Sequence, residues 1–69
     1  MNASTAPITV ILEPWATEYA LEPGVAFDIV ESGGRPDEAI EIQVGQGRTT
    51  FFARAQSTLS VVQDGKVLP

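Results

Sequence analysis

Carboxylates are the side chains of this sequence that offer the most chemistry, because its 69 residues include neither histidine nor cysteine. Zinc and copper sites of the usual kind and reactive thiols need those two residue types. A serine or threonine nucleophile needs a base such as histidine or an activated lysine. The only lysine is Lys66, and no known motif pairs it with Ser57 or Ser60. The sequence therefore predicts a protein that is not an enzyme and that holds no cofactor and no transition metal.

Two sets of acidic residues are candidates for joint chemistry. Glycoside hydrolysis uses two carboxylates, and the four that could supply them are Glu13, Glu18, Glu22 and Asp28. Strand alternation directs the last three to solvent, which argues against this chemistry. The densest acidic group is Asp37, Glu38 and Glu41. These three lack the alternating spacing of a calcium loop, so we interpret them as a solvated acidic face and leave calcium as the one ion not excluded.

The charge of the chain restricts the classes of molecule that it can be expected to bind. The net charge is −5, and the four basic residues are scattered singly along the chain. Nucleic acid and anionic membranes are bound by clustered lysine and arginine, so neither is an expected partner. The glycine pair in Gly33-Gly34-Arg35 could hold an anion through its backbone amides. No Lys-Ser or Lys-Thr follows it and no helix starts there, so we interpret it as a connector.

Alternation of apolar and polar residues with a period of two recurs along the chain, and helical periodicity is absent. Four such runs are 8–13, 17–22, 25–31 and 40–44, and three further β-rich runs follow at 48–54, 58–63 and 66–68. In the fourth run, Ile40, Ile42 and Val44 share the face predicted to be buried. Turn signals such as Pro23-Gly24 and Asp64-Gly65 separate the runs. We predict an all-β fold: a small antiparallel meander of about six or seven short strands that closes as a barrel or a two-layer sandwich.

The chain has room for one small core. We predict a flexible N-terminus at residues 1–7 and a single all-β domain at residues 8–69. Residues 1–7 carry neither the basic segment nor the apolar stretch of a signal peptide, so a cytoplasmic location is expected. A chain of 7.3 kDa buries only about 60% of its unfolded surface. Oligomerisation is therefore an expected source of extra stability.

Two hairpins can be analysed residue by residue. With Asp64-Gly65 as the loop, Gln63 faces Lys66 and Val62 faces Val67. The turn at 45–47 allows three registers, and the register decides whether Phe51 or Phe52 is buried, because side chains alternate between faces. Two-residue loops at 45–46 or 46–47 bury Phe51. A three-residue loop buries Phe52 instead, so the choice stays open.

Several apolar side chains fall on strand faces that point away from the predicted core. We take them as interface candidates: Ile11, Val30, Phe52, Val62 and Val67. Trp15 lies in a turn that does not need an aromatic residue. It serves either as a lid on one end of a barrel or as an anchor for an interface or a ligand.

Part of the chain resembles the cupin barrels. The resemblance rests on Tyr19-Ala20-Leu21-Glu22-Pro23-Gly24, followed by acidic residues and then Glu41-Ile42-Gln43-Val44-Gly45-Gln46-Gly47, and it covers residues 17–52. Cupins hold a metal with paired histidines and a glutamate between these two segments, and this chain has no histidine there. The resemblance implies a metal-free cupin-like barrel without the catalysis of the family, and no functional residue carries over.

The leading functional hypothesis is a small acidic β domain that acts by self-association or by binding a protein partner. A symmetric homodimer is the first expectation, because one self-complementary patch is enough to form it. We expect face packing through Phe52 rather than edge pairing through 66–68, since Lys66 and Pro69 blunt that edge. The alternative is a barrel that binds a neutral small molecule or sugar, with Trp15 near its mouth.

Overall fold

Seven strands account for the regular structure of this protein. A computed structural model describes residues 2–3, 5–34 and 39–69, and it contains no helix in these ranges. The strands are β1 (Ile8–Glu13), β2 (Thr17–Leu21), β3 (Asp28–Gly33), β4 (Glu41–Gly45), β5 (Arg48–Phe52), β6 (Ser57–Gln63) and β7 (Lys66–Val67). The prediction of an all-β fold is confirmed. The largest boundary difference is at β3, which begins at Asp28 rather than at residue 25, because the backbone of Val25 bonds to the N-terminal segment.

The strands form two sheets. The four-stranded sheet has the order β2-β1-β5-β4, and the three-stranded sheet has the order β3-β6-β7. The two sheets make a two-layer, sandwich-like arrangement, and the described strands do not close as a barrel. Of the two closures predicted from sequence, the structure therefore has the sandwich.

One strand pair corrects the prediction of an antiparallel meander. β1 and β5 are parallel neighbours, with Thr9 opposite Arg48 and Glu13 opposite Phe52. The chain leaves the four-stranded sheet after β2, contributes β3 to the other sheet, and returns with the β4–β5 hairpin. On its return β5 docks against the free side of β1, where the two strands run in the same direction.

The core lies between the two sheets. Its buried side chains are Val10, Leu12 and Leu21 from one sheet and Leu59 and Val61 from the other. They occupy alternate positions along their strands, as the period of two requires. Phe27, Ile29 and Phe51 are among the partly buried side chains that pack around them.

Both hairpins have a register that was considered from sequence. The β4–β5 loop is Gln46-Gly47, which sets Ile42 opposite Phe51. Phe51 packs against the core, and its neighbour Phe52 lies on the other face of the sheet. In the last hairpin Val62 pairs with Val67 and Gln63 with Lys66, as predicted. Its loop residues have φ of 53° and 75°, and two positive values are typical of the turn that Asp-Gly favours.

Asn2 connects the N-terminal segment to the end of β2 and the turn after it through hydrogen bonds. Its side-chain amide donates to the carbonyl oxygens of Leu21 and Ala6, at 2.9 and 3.0 Å. Its backbone N–H donates to Val25 and its carbonyl accepts from Gly24. The residue is buried, although it belongs to the segment 1–7 for which the sequence predicts flexibility.

Replacing Val61 by alanine should destabilise the protein far more than the same change at Val67. Val61 is fully buried, whereas Val67, also in the three-stranded sheet, is 65% exposed. Losing two buried methyl groups and leaving a cavity costs about 2 kcal/mol, a large share of the roughly 3–10 kcal/mol expected for a chain of this size. Urea unfolding followed by tryptophan fluorescence measures both variants. Equal midpoints for the two would contradict the assignment of the core.

Candidate functional site

The face of the four-stranded sheet that points away from the core carries a mixed set of side chains. Because Val10 and Leu12 of β1 point into the core, Ile11 and Glu13 point to this outer face. The register places Thr50 beside Ile11 and Phe52 beside Glu13.

A depression of about 340 Å³ lies on this outer face. Its lining combines apolar, hydrogen-bonding and oppositely charged residues: Ile11, Glu13, Gln43, Val44, Gly45, Arg48, Thr50 and Phe52. Its volume is at the lower end of the range of about 300–1,000 Å³ typical of small-molecule sites. Three strands, β1, β4 and β5, contribute to it, so it exists only because β5 docks on β1.

The carboxylate of Glu13 has an unusual environment. Its Oε1 atom is buried and has no hydrogen-bond partner among the residues that the structure describes. Most buried polar atoms in proteins have a partner, and a buried acceptor without one is costly. Glu13 therefore lines the depression as a carboxylate whose Oε1 atom is closed to solvent and has no donor from the described residues.

Arg48 is the cation of the lining, and it lies well away from Glu13. It is opposite Thr9, four positions along the parallel ladder from the Glu13–Phe52 pair. Four residues of strand span about 13 Å. No ion pair of Arg48 is found in the described ranges, so the two opposite charges of the depression do not neutralise each other directly.

The edge strand β4 is exposed along its whole length. Gly45 and Arg48 flank the two-residue loop, so they form a hydrogen-bonded pair, and the bonding alternates from there. The N–H and C=O groups of Ile42 and Val44 therefore point away from β5 to the open side. The side chains of these residues are 55% and 80% exposed. β4 has neither the lysine nor the proline that commonly protects a sheet edge.

The exposure of Ile42 and Val44 corrects the prediction that they are buried. Both lie on the core-facing side of β4, as their alternation indicates, but β4 is the last strand of its sheet and the smaller sheet leaves it uncovered. Alternation gives the face of a side chain and carries no information on whether a second layer covers it.

The interface candidates selected from sequence do not form one surface. Ile11 and Phe52 lie on the outer face of the four-stranded sheet, inside the depression. Val30, Val62 and Val67 lie on the outer face of the three-stranded sheet, where Val62 pairs with Val67. The core separates the two groups.

Trp15 lies in the turn between β1 and β2 and is 46% exposed. It does not line the depression. The described strands do not close into a barrel, so they form no barrel mouth, and the role of Trp15 as an anchor stays a prediction.

The calcium and anion sites considered from the sequence gain no support from the described residues. Asp37 and Glu38, named with Glu41 as a calcium candidate, lie outside the described residues, as does Arg35. Within the described ranges there is no cluster of three acidic or other metal-ligating side chains. The amide of Gly34 already donates to the carbonyl oxygen of Gln56 at 3.0 Å, which leaves it unavailable to an anion.

An ion pair connects the two sheets. Arg54, just after β5, donates two hydrogen bonds to Glu31 of β3, with N–O distances of 2.8 and 2.6 Å. The hydrogen bond from Arg54 lowers the pKa of Glu31, and Ser57 acts in the same direction. Gly34 packs against this pair, since a Cβ there would lie 2.6 Å from Nε of Arg54.

No helix among the described residues is long and apolar enough to cross a membrane. Comparison of the chain with protein-family models, with curated proteins and with solved structures finds no match. The resemblance to cupins stays a prediction.

The Glu31–Arg54 pair should make stability depend on pH. Because the pKa of Glu31 is lowered by folding, the pair stabilises the protein above the ordinary glutamate pKa of 4.5, and this stabilisation is lost as the pH falls through the lowered value. Urea midpoints of the wild type and Glu31→Gln should therefore differ at pH 7 and converge in acid. A constant difference across this range would contradict the role of the pair.

Proposed function

We propose that this protein is a non-enzymatic interaction domain that forms a homodimer by pairing the β4 strands of two copies. The proposal rests on one observation, which concerns the edge strand β4. Ile42 and Val44 point their backbone N–H and C=O groups away from the sheet, and the same two residues expose large apolar side chains. Addition of a second strand provides hydrogen-bond partners for these backbone groups and covers the apolar side chains beside them.

An antiparallel pairing centred on Gln43 fits the sequence of β4. A two-fold axis through this residue sets Ile42 opposite Val44 of the second copy. These are the positions whose backbone groups point outward, so they form the hydrogen-bonded pairs across the axis. Aliphatic side chains then meet aliphatic side chains on the core-facing side of the extended sheet.

Charge complementarity supports the same register. Glu41 of one copy comes opposite Gly45 of the second copy, and Gly45 is itself opposite Arg48 on β5. All three are on the outer face of the sheet. Since glycine has no side chain, the space between Glu41 and the second copy's Arg48 is open. Two symmetric ion pairs support an association that the net charge of −5 on each copy opposes.

The contact is small, which predicts a weak dimer. Each large aliphatic side chain contributes about 1.5–3 kcal/mol when fully buried, and association itself costs at least about 4 kcal/mol. Four aliphatic side chains and the strand hydrogen bonds give a dimer that forms with rising concentration. Face packing through Phe52, expected from sequence, has less support, because Phe52 is partly buried within the depression.

A second function, small-molecule binding, is supported by the depression on the outer face. Its lining includes an aromatic ring, hydrogen-bonding side chains and the acidic residue Glu13. The aromatic residue of this lining is Phe52, whereas the sequence predicts Trp15 beside a ligand.

Sedimentation of Val44→Lys tests the dimer. The wild type should sediment as an increasing fraction of dimer between about 10 µM and 1 mM, whereas Val44→Lys should stay monomeric, because an exposed lysine on an edge strand opposes pairing. Its urea midpoint should match that of the wild type, since Val44 is 80% exposed.

Val30→Lys is the matched control, because Val30 is also exposed but lies on the other sheet. It should dimerise as the wild type does. A wild type that stays monomeric throughout, or a Val30→Lys variant that loses the dimer equally, would refute the proposal.

Exchanging the charges of Glu41 and Arg48 tests the register. Glu41→Arg and Arg48→Glu should each weaken the dimer, because each puts like charges across Gly45. The double variant should recover most of the wild-type association, since it restores both pairs in reversed order. Concentration-dependent sedimentation measures all three. Failure of the double variant to recover would contradict the register centred on Gln43.

A further inference from the structure

We infer that the depression on the outer face of the four-stranded sheet binds a primary alkylammonium group, with Glu13 as its anionic partner. This deepens the second proposed function by naming the class of ligand. It is separable from the dimer, because Glu13 and Phe52 belong to β1 and β5, although Gln43 of the lining belongs to the edge strand that pairs in the dimer.

Glu13 supplies the first argument. A carboxylate oxygen accepts hydrogen bonds only, and the described residues offer no donor to Oε1 of Glu13. Because Oε1 is closed to solvent, a ligand reaches this carboxylate through its other oxygen or once the carboxylate turns towards the depression. The donor that matches a carboxylate in both hydrogen bonding and charge is an ammonium or a guanidinium. A group that brings positive charge without N–H donors would leave this carboxylate unsatisfied.

The surroundings of Glu13 suit an ammonium on an apolar stem. Phe52 is its direct neighbour across the parallel ladder, and Ile11 lies two positions earlier on the same face. Aromatic rings attract cations through their faces, and both side chains offer apolar contact to a stem. Thr50 and Gln43 in the same lining add oxygen atoms that accept the other N–H groups of an ammonium.

The charge distribution favours a cation at this end of the depression. On the same face, Glu41 lies beside Phe52 on the other side from Glu13, and Glu18 lies beside Ile11. Arg48 is the opposing charge, and its backbone position is about 13 Å from that of Glu13 along the strands. The chain as a whole carries −5, so its field draws cations towards the site.

The size of the depression suits a short amine. A volume of about 340 Å³ holds a ligand at the small end of the usual range. The same ammonium chemistry is found in a free alkylamine and in a lysine side chain of a polypeptide. Hexylamine and Nα-acetyl-lysine amide represent the two sources.

NMR titration of the uniformly labelled protein tests the site. Hexylamine should shift the amides of residues 11–13, 43–45 and 48–52, and hexanol and hexanoate of equal length should bind at least about tenfold more weakly. Tetramethylammonium, which has charge but no N–H, should also bind at least about tenfold more weakly. Tighter binding of hexylamine than of Nα-acetyl-lysine amide assigns the site to free amines, and the reverse order assigns it to lysine side chains.

Glu13→Gln keeps the shape of the side chain and removes its charge. It should weaken hexylamine binding by about tenfold or more, the effect of losing a hydrogen bond to a charged group. Glu18→Gln is the matched control: it removes one carboxylate from the same face but outside the lining, and it should retain nearly full affinity.

Two results would overturn the inference. One is a Glu13→Gln variant that binds hexylamine as tightly as the wild type does. The other is hexanol binding as tightly as hexylamine, which would leave the depression as a small-molecule site but refute its ammonium specificity. Absence of shifts with every probe would refute both the ligand class and the second function. Sedimentation of the same samples reports separately on the dimer.

Discussion

The parallel ladder between β1 and β5 is the interaction on which the rest of this structure depends. Hydrogen bonds from Thr9 to Gly47 and from Ala53 to Glu13, both 2.9 Å, flank it at either end. The ladder joins the β1–β2 and β4–β5 hairpins into one sheet. It sets Phe51 against the core and Phe52 beside Glu13, and it leaves β4 as an edge. The depression, the exposed apolar edge and the main core layer are therefore three results of one strand pairing.

Local features of the sequence predicted the local features of the fold. Alternation located the first four strands, and β-rich composition located the other three. The Asp64-Gly65 dipeptide indicated the pairs of the last hairpin, because positive φ at both loop residues imposes that geometry. The two-residue loops considered at 45–47 favoured Phe51 for the core, and the structure agrees.

Long-range features could not be predicted in the same way. The residue patterns of β1 and β5 do not indicate that these two strands pair, because strand pairing depends on where the chain crosses between the two sheets. The exposure of Val44 and the split of the interface candidates between two faces follow from that crossing. The unpartnered oxygen of Glu13 could not be predicted either, although the sequence places Glu13 among the candidate carboxylates. Only the packing of β5 against β1 reveals that one of its oxygens has no partner.

The four-stranded sheet has two unlike edges, and this difference would limit the assembly that we propose. An isologous contact uses the same edge of both copies, so pairing through β4 consumes it and produces an eight-stranded sheet with a β2 strand at each end. Both ends then present the acidic Glu18 and Glu22, and like charges oppose any further end-to-end growth. A heterologous contact between β4 and β2 would instead leave one edge of each kind free and extend without limit. The asymmetry of the edges thus favours a closed pair over a fibre.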